Sequence, residues 1–90
     1  MDHSRLSREE VARRGEEIYR TDIRGRVEVE ENVGRIVSID VETGVYEIGD
    51  DPVVTARRIQ AIHPDAAIWT RRIGYNAVYA VGGSLTRTAR

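Results

Sequence analysis

The stretch that decides the fold is residues 33–49, Val-Gly-Arg-Ile-Val-Ser-Ile-Asp-Val-Glu-Thr-Gly-Val-Tyr-Glu-Ile-Gly. Apolar and polar side chains alternate from Val37 to Val41, and a period of two residues is typical of a β-strand. The segment 42–44 follows as a turn, because Gly44 can adopt the positive φ angle that a tight turn needs. Residues 45–48 then run back alongside the first strand. The stretch therefore predicts a β-hairpin.

A helix is predicted ahead of this hairpin. Ser7-Arg-Glu-Glu10 is a capping box, in which the serine hydroxyl accepts a hydrogen bond from the amide of Glu10, so the helix should begin at about Arg8. Its apolar stripe is narrow, and Gly15 on that stripe either weakens the helix or allows a partner to approach closely. We expect the helix to fade between residues 21 and 25, and residues 27–32 to form an extended or irregular connection.

A second helix is predicted after the hairpin. Asp51 caps it and Pro52 suits its first position. The helix must stop near His63, because a residue that precedes proline is pushed out of the α region. Two further strands follow at residues 67–73 and 77–81. The order α-β-β-α-β-β predicts an α+β domain with a four-stranded sheet of two hairpins, one helix packed on a face and an N-terminal helix.

Apolar side chains occur on both phases of the predicted strands, so both faces of the sheet need cover. We expect the helix at residues 52–62 to cover one face. The second phase carries Ile36, Val45 and Trp69, as well as Val78 and Ala80. The cover for that face would come either from the N-terminal helix or from another copy of the protein.

Length and composition bound the protein further. Ninety residues make one small domain, which we place at residues 7–83 between flexible tails at 1–6 and 84–90, the second of them basic. The chain has no cysteine, which excludes disulfides, thiolate catalysis and cysteine-based zinc sites. It shows neither a signal peptide nor an apolar run of the about 20 residues that a membrane span needs, so we expect a cytoplasmic protein without membrane contact.

Charge is unevenly distributed along the chain. Residues 1–51 contain fourteen Asp and Glu against eight Arg, whereas residues 52–90 contain one Asp and six Arg. A chain divided in this way can attract a second copy of itself or present a basic face to an anion. Folding can equally mix the two halves into one ordinary surface.

Asp40-Val-Glu42-Thr-Gly44 resembles the first metal-binding motif of the proofreading-type exonucleases, where two carboxylates on one side of a strand hold metal ions. The further acids and the base that this family needs are missing from the later elements. An Asp beside a turn also commonly accepts from backbone amides. We therefore interpret Asp40 and Glu42 as scaffold and predict no catalytic residue, no metal site and no cofactor.

His63-Pro-Asp65 matches the signature tripeptide of J-domain co-chaperones. In that family the tripeptide lies between two long antiparallel helices, whereas here a strand is predicted directly after it. A helix stop followed by a turn explains the same three residues.

Five residues form the candidate binding set of the chain. Arginines can neutralise phosphates, and an exposed aromatic ring can stack on a base, which would make nucleic acid the alternative ligand. Adjacent strand residues point in opposite directions, so only one of the two neighbouring strand arginines can share a face with Trp69. Pairing with cross-strand acids is the competing explanation. The set is Arg57, Arg58, Arg71, Arg72 and Tyr75.

The linked segments GRIVSIDVETG (34–44), YEI (46–48), DDP (50–52), HPDA (63–66), RIGYNAVY (72–79) and GG (82–83) resemble a family of small uncharacterised bacterial proteins, frequent in cyanobacteria. The resemblance covers about residues 10–84. It implies a small soluble α+β domain with an accessory or interaction role beside an operon-encoded partner. We accordingly expect a non-enzymatic domain that acts through protein contacts, as a homo-oligomer or with such a partner.

Overall fold

The Ser7 half of the predicted capping box starts the first helix, whereas the Glu10 carboxylate pairs with Arg13 and Arg14 and does not reach back to the Ser7 amide. In the computed structural model, which describes residues 6–75, the amide of Glu10 donates to the Ser7 hydroxyl at 3.1 Å. Helix α1 spans Arg8–Ile18. Leu6, at the end of the predicted N-terminal tail, is partly buried against the core. The predicted start of the helix is therefore confirmed.

The predicted end of this helix was wrong. A π-helical turn over Tyr19–Ile23 and a short helix α2 over Arg24–Val27 continue it. Burial of one apolar face stabilises this continuation more than Gly25 weakens it, since tertiary packing supplies most helical stability in proteins. The side chains concerned lie four residues apart and are at most 2% exposed: Tyr19, Ile23 and Val27. A 3₁₀ turn at Glu30–Asn32 occupies the end of the predicted connection.

Three antiparallel strands form the described sheet, in the order β2-β1-β3. They span Ile36–Asp40 (β1), Tyr46–Gly49 (β2) and Ile68–Arg72 (β3). The predicted hairpin is confirmed, because β1 pairs with β2 and Gly44 has a positive φ of 84° in the turn between them. The predicted fourth strand at residues 77–81 and the tail at 84–90 lie outside the described residues.

The predicted start and stop signals also hold for the second long helix. Helix α3 spans Pro52–Ile62 and is capped by Asp51, whose carboxylate accepts from the amides of Val53 and Val54 at 2.7 and 3.4 Å. The helix ends directly before His63, as expected for the residue that precedes proline.

Every residue of β1 is buried because a helix covers each face of the sheet. The N-terminal helix lies over Val37, Ile39 and Trp69 and completes an apolar core there. Helix α3 lies on the opposite face, over β1 and β2. The sequence grouped Trp69 with Ile36, but the register places Trp69 opposite Ile39 and so on the face that the N-terminal helix covers. Two covers were predicted for the second face, namely the N-terminal helix and another copy of the protein. The N-terminal helix is the one that lies over Trp69.

Glycines let both helices approach the sheet closely. A Cβ atom on Gly15 would collide with Cγ of Trp69, far inside van der Waals contact. On the other face, a Cβ atom on Gly49 would lie 2.9 Å from Cγ2 of Thr55. The close approach predicted at Gly15 is therefore real, and the neighbour is Trp69 of the same chain.

Replacing Gly15 by alanine should destabilise the fold by about 1–3 kcal/mol, because the new methyl group overpacks the contact with Trp69. The matched control is Gly25→Ala in α2, where no described atom lies within 4 Å of the added Cβ. That change should stabilise the protein by about 0.5–1 kcal/mol, since alanine is the better helix former. Urea unfolding measures both free energies. A Gly15→Ala variant as stable as Gly25→Ala would contradict the close packing of α1 on β3.

Candidate functional site

The sheet face beneath α3 has a polar centre. The Ser38 hydroxyl lies 2.7 Å from Oγ1 of Thr55 and 2.9 Å from Oγ1 of Thr70. The Thr55 hydroxyl donates to the carbonyl of Pro52 at 3.1 Å. A hydroxyl has only one hydrogen, so Ser38 must donate to Thr55, and Thr70 must donate to Ser38. The three hydroxyls thus form one directed chain of hydrogen bonds that joins α3 to the sheet.

Asp40 provides a second polar link between the same two elements. Its side chain is fully buried, and its Oδ2 lies 2.8 Å from Nδ1 of His63 at the end of α3. Its Oδ1 accepts from the amide of Glu42 at 3.0 Å. The predicted bond to a turn amide is present, but the sequence did not reveal the partnership with His63. Glu42 itself is exposed.

The Asp40–His63 pair is electrostatically matched. Burial raises the pKa of Asp40, but hydrogen bonds from His63, the Glu42 amide and the Thr43 side chain outweigh burial and hold that pKa below its usual value. The hydrogen bond to Asp40 raises the pKa of His63 above its ordinary 6.5. Both shifts favour the ionised pair, in which Nδ1–H of His63 donates to the carboxylate.

The pair borders a depression of about 240 Å³ between the first hairpin turn and the end of α3. Its apolar lining comes from Val45, Ile59 and Ile62, and two of these side chains are far from buried: Val45 is 40% exposed and Ile62 is 67% exposed. Small-molecule sites usually enclose at least about 300 Å³, so the depression is closer in size to a pocket for one protein side chain.

The exonuclease-like residues do not assemble a metal centre in the described part of the chain. Asp40 uses its two oxygens on His63 and on the Glu42 amide, and Glu42 extends into solvent. Between residues 6 and 75, no group of three or more His, Cys, Asp or Glu side chains could hold a metal ion.

The structure places Arg71 and Arg72 on opposite faces of β3. Arg71 is only 6% exposed and lies over the ring of Tyr19, with 4.4 Å between its guanidinium carbon and the ring centroid. Arg72 donates from Nη1 to the carbonyl of Gly34 at 2.6 Å. Little of the Arg71 side chain is therefore accessible to a polyanion.

The remaining members of the candidate binding set lie elsewhere. Arg57 and Arg58 are exposed on α3, and Tyr75 is partly buried at the end of the described chain. The set predicted from the sequence is thus divided among the core, the sheet and the outer surface of a helix. Nucleic-acid binding stays a prediction. The buried Arg71 is not part of the accessible surface that such binding would use.

The chain matches no known protein family, no curated protein and no solved structure at a significant level. The resemblance to small bacterial proteins noted above stays a prediction. Within residues 6–75, no helix has both the length and the apolar character needed to cross a membrane.

A His63→Gln substitution tests the ion pair through the pH dependence of stability. Because the pKa of His63 is raised in the folded state, its contribution is fully present below its ordinary 6.5 and is lost as the pH rises through the folded value. Because the pKa of Asp40 is lowered, its contribution is present above its ordinary 3.8 and is lost as the pH falls through the folded value. The pair therefore stabilises most between about pH 4 and 6.5.

Urea unfolding of the wild type and of His63→Gln measures this effect. The substitution should cost more stability at about pH 5.5 than at about pH 9, because the imidazole of the wild type loses its proton as the pH rises through its folded pKa. At each pH the stability of the variant is compared with that of the wild type. Every other titrating group is shared by the two proteins, so the change in this difference with pH reports on the pair. An equal loss at the two pH values would show that the pair is not ionised in the folded protein.

Proposed function

We propose that this chain is a non-enzymatic accessory domain that acts in the cytoplasm through protein contacts. The observation that carries the proposal is an accessible apolar surface on one flank of α3, which we call the α3–β2 surface. It consists of Val45, Val54, Arg58, Ile62 and the outer edge of β2. The absence of cysteine supports the cytoplasmic location, because small secreted domains are commonly rich in disulfides.

The members of the α3–β2 surface lie on one side of the molecule. Val45 and Ile62 line the same depression. The Nη1 atom of Arg58 lies 4.0 Å from the position that a Cβ on Gly49 would occupy, so this arginine extends over β2. Val54 and Ile62 stand four residues before and after Arg58, and helix residues at that spacing share a face.

This composition suits a protein interface. The valines and the isoleucine expose apolar area whose burial is favourable by about 25 cal/mol per Å². Arginine is enriched in interfaces, where its guanidinium can bond a carboxylate and its stem packs on apolar neighbours. The depression beside Ile62 can accept one anchoring side chain of a partner.

The interior polar groups support a structural role over a catalytic one. The hydroxyls of Ser38, Thr55 and Thr70 bond one another, and Ser38 and Thr55 are fully buried. A substrate could not reach Ser38 or Thr55 without separating α3 from the sheet. Asp40 is likewise buried and bonded through both oxygens.

Co-purification with a tagged domain from its source cells tests the proposal. The variant Ile62→Arg introduces a charge into the α3–β2 surface and should abolish recovery of the associated protein, whether this is a second copy or another chain. Val53→Glu is the matched control, because Val53 is an exposed residue on the other flank of α3. Each new charge suits the dipole at its own end of the helix, so neither variant should weaken the fold.

The expected pattern is recovery with the wild type and with Val53→Glu, and loss with Ile62→Arg. A wild-type protein that is strictly monomeric and recovers no other protein would contradict the proposal. Equal recovery with all three proteins would show that the contact lies outside the α3–β2 surface.

A further inference from the structure

The outer edge of β2 is open among the described strands. The sheet order β2-β1-β3 leaves β2 and β3 at its two edges. The edge of β3 is where the predicted strand at residues 77–81 would pair, as the second arm of a hairpin. An unpaired edge presents a row of free backbone N–H and C=O groups, and such a row is a template for pairing with another strand.

The hydrogen-bond pattern of β1 shows which groups of β2 face outward. The Asp40 amide donates to the carbonyl of Val45 at 2.8 Å, whereas the Val41 amide donates on the other side to the carbonyl of Ala67, directly before β3, at 3.0 Å. Bonded pairs alternate in antiparallel sheets, so the bonded pairs between β1 and β2 involve Glu47 and Gly49. The backbone groups of Tyr46 and Ile48 therefore point away from β1, toward the open edge.

Charge disfavours one register for pairing β2 with a second β2 and favours another. A two-fold axis through Glu47 would place two carboxylates opposite each other, which is destabilising. An axis through Ile48 instead places Glu47 opposite Gly49 of the second copy. Gly49 has no side chain, and the guanidinium of Arg58 lies beside the space that a Cβ would fill. Glu47 of one copy then meets Arg58 of the other, twice in each dimer.

We propose that two copies of this chain associate through antiparallel pairing of β2, around a two-fold axis at Ile48. This inference names the partner of the α3–β2 surface and so rests on the proposed function. The acidic partner of the contact lies in the acidic half of the sequence and the basic one in the basic half.

The same axis brings the two α3 helices side by side on one face of a continuous sheet. Helix α3 packs over β1 and β2, and neighbouring strands are about 4.8 Å apart. The axes of the two helices are then about 10 Å apart, within the range of packed helices. Val54 and Ile62 stand equally far from Arg58, so Val54 of one copy approaches Ile62 of the other. The pairing thus covers the exposed apolar side chains as well as the open edge.

Charge reversal tests this arrangement by sedimentation over a range of protein concentrations. The wild type should be a dimer, and Glu47→Arg or Arg58→Glu alone should weaken dimerisation by on the order of tenfold or more, because each places like charges together twice. The double variant reverses both charges and should return to within about threefold of the wild-type dissociation constant. Arg57→Glu is the matched control, since Arg57 is the neighbouring exposed arginine outside this contact, and it should leave the dimer intact.

The outcomes separate this inference from the proposed function. A monomeric wild type, or a dimer that the double variant fails to restore, overturns the pairing through β2. If a monomeric wild type still recovers a different protein in a manner sensitive to Ile62→Arg, the partner is another chain and the proposed function stands. If no association of any kind occurs, both fail together.

Discussion

The described structure depends on a central strand that is buried on both faces although one of them, with Ile36, Ser38 and Asp40, is largely polar. The face of β1 with Val37 and Ile39 meets the N-terminal helix in an ordinary hydrophobic core. The other face presents Ser38 and Asp40 to α3, and burying such groups is costly unless they are hydrogen-bonded. The chain of three hydroxyls and the link from Asp40 to His63 meet that requirement. Helix α3 is therefore held by polar contacts near its start and at its end.

This arrangement determines what α3 can offer to other molecules. Its inward side carries Thr55, which lies against Gly49 and the sheet hydroxyls, and the fully buried Ile59. Two of its exposed apolar side chains, Val54 and Ile62, stand on the flank beside the open edge of β2. A partner that pairs with this edge would cover them at the same time. Helix α3 thus forms hydrogen bonds to the sheet on its inward side and offers apolar side chains to a partner on its outward flank.

Local signals in the sequence were sufficient for much of this architecture. The Ser7 cap, the Asp51-Pro52 start and the stop at His63 each depend on neighbouring residues, and the structure has all three. The continuation of the first helix to Val27 was missed because it depends on burial against a sheet that is distant in sequence.

The polar contacts were missed for a related reason. Asp40 and His63 are 23 residues apart, and Ser38 and Thr70 are 32 residues apart, so no local period connects them.

The most direct test of the link between Asp40 and His63 is the ¹⁵N NMR spectrum of the His63 imidazole as a function of pH. If Asp40 holds α3 through His63, Nδ1 carries a proton in both ionisation states and the pKa of His63 lies above 6.5. An unprotonated Nδ1 in the neutral form, with an ordinary pKa, would contradict the claim that Asp40 serves to hold α3.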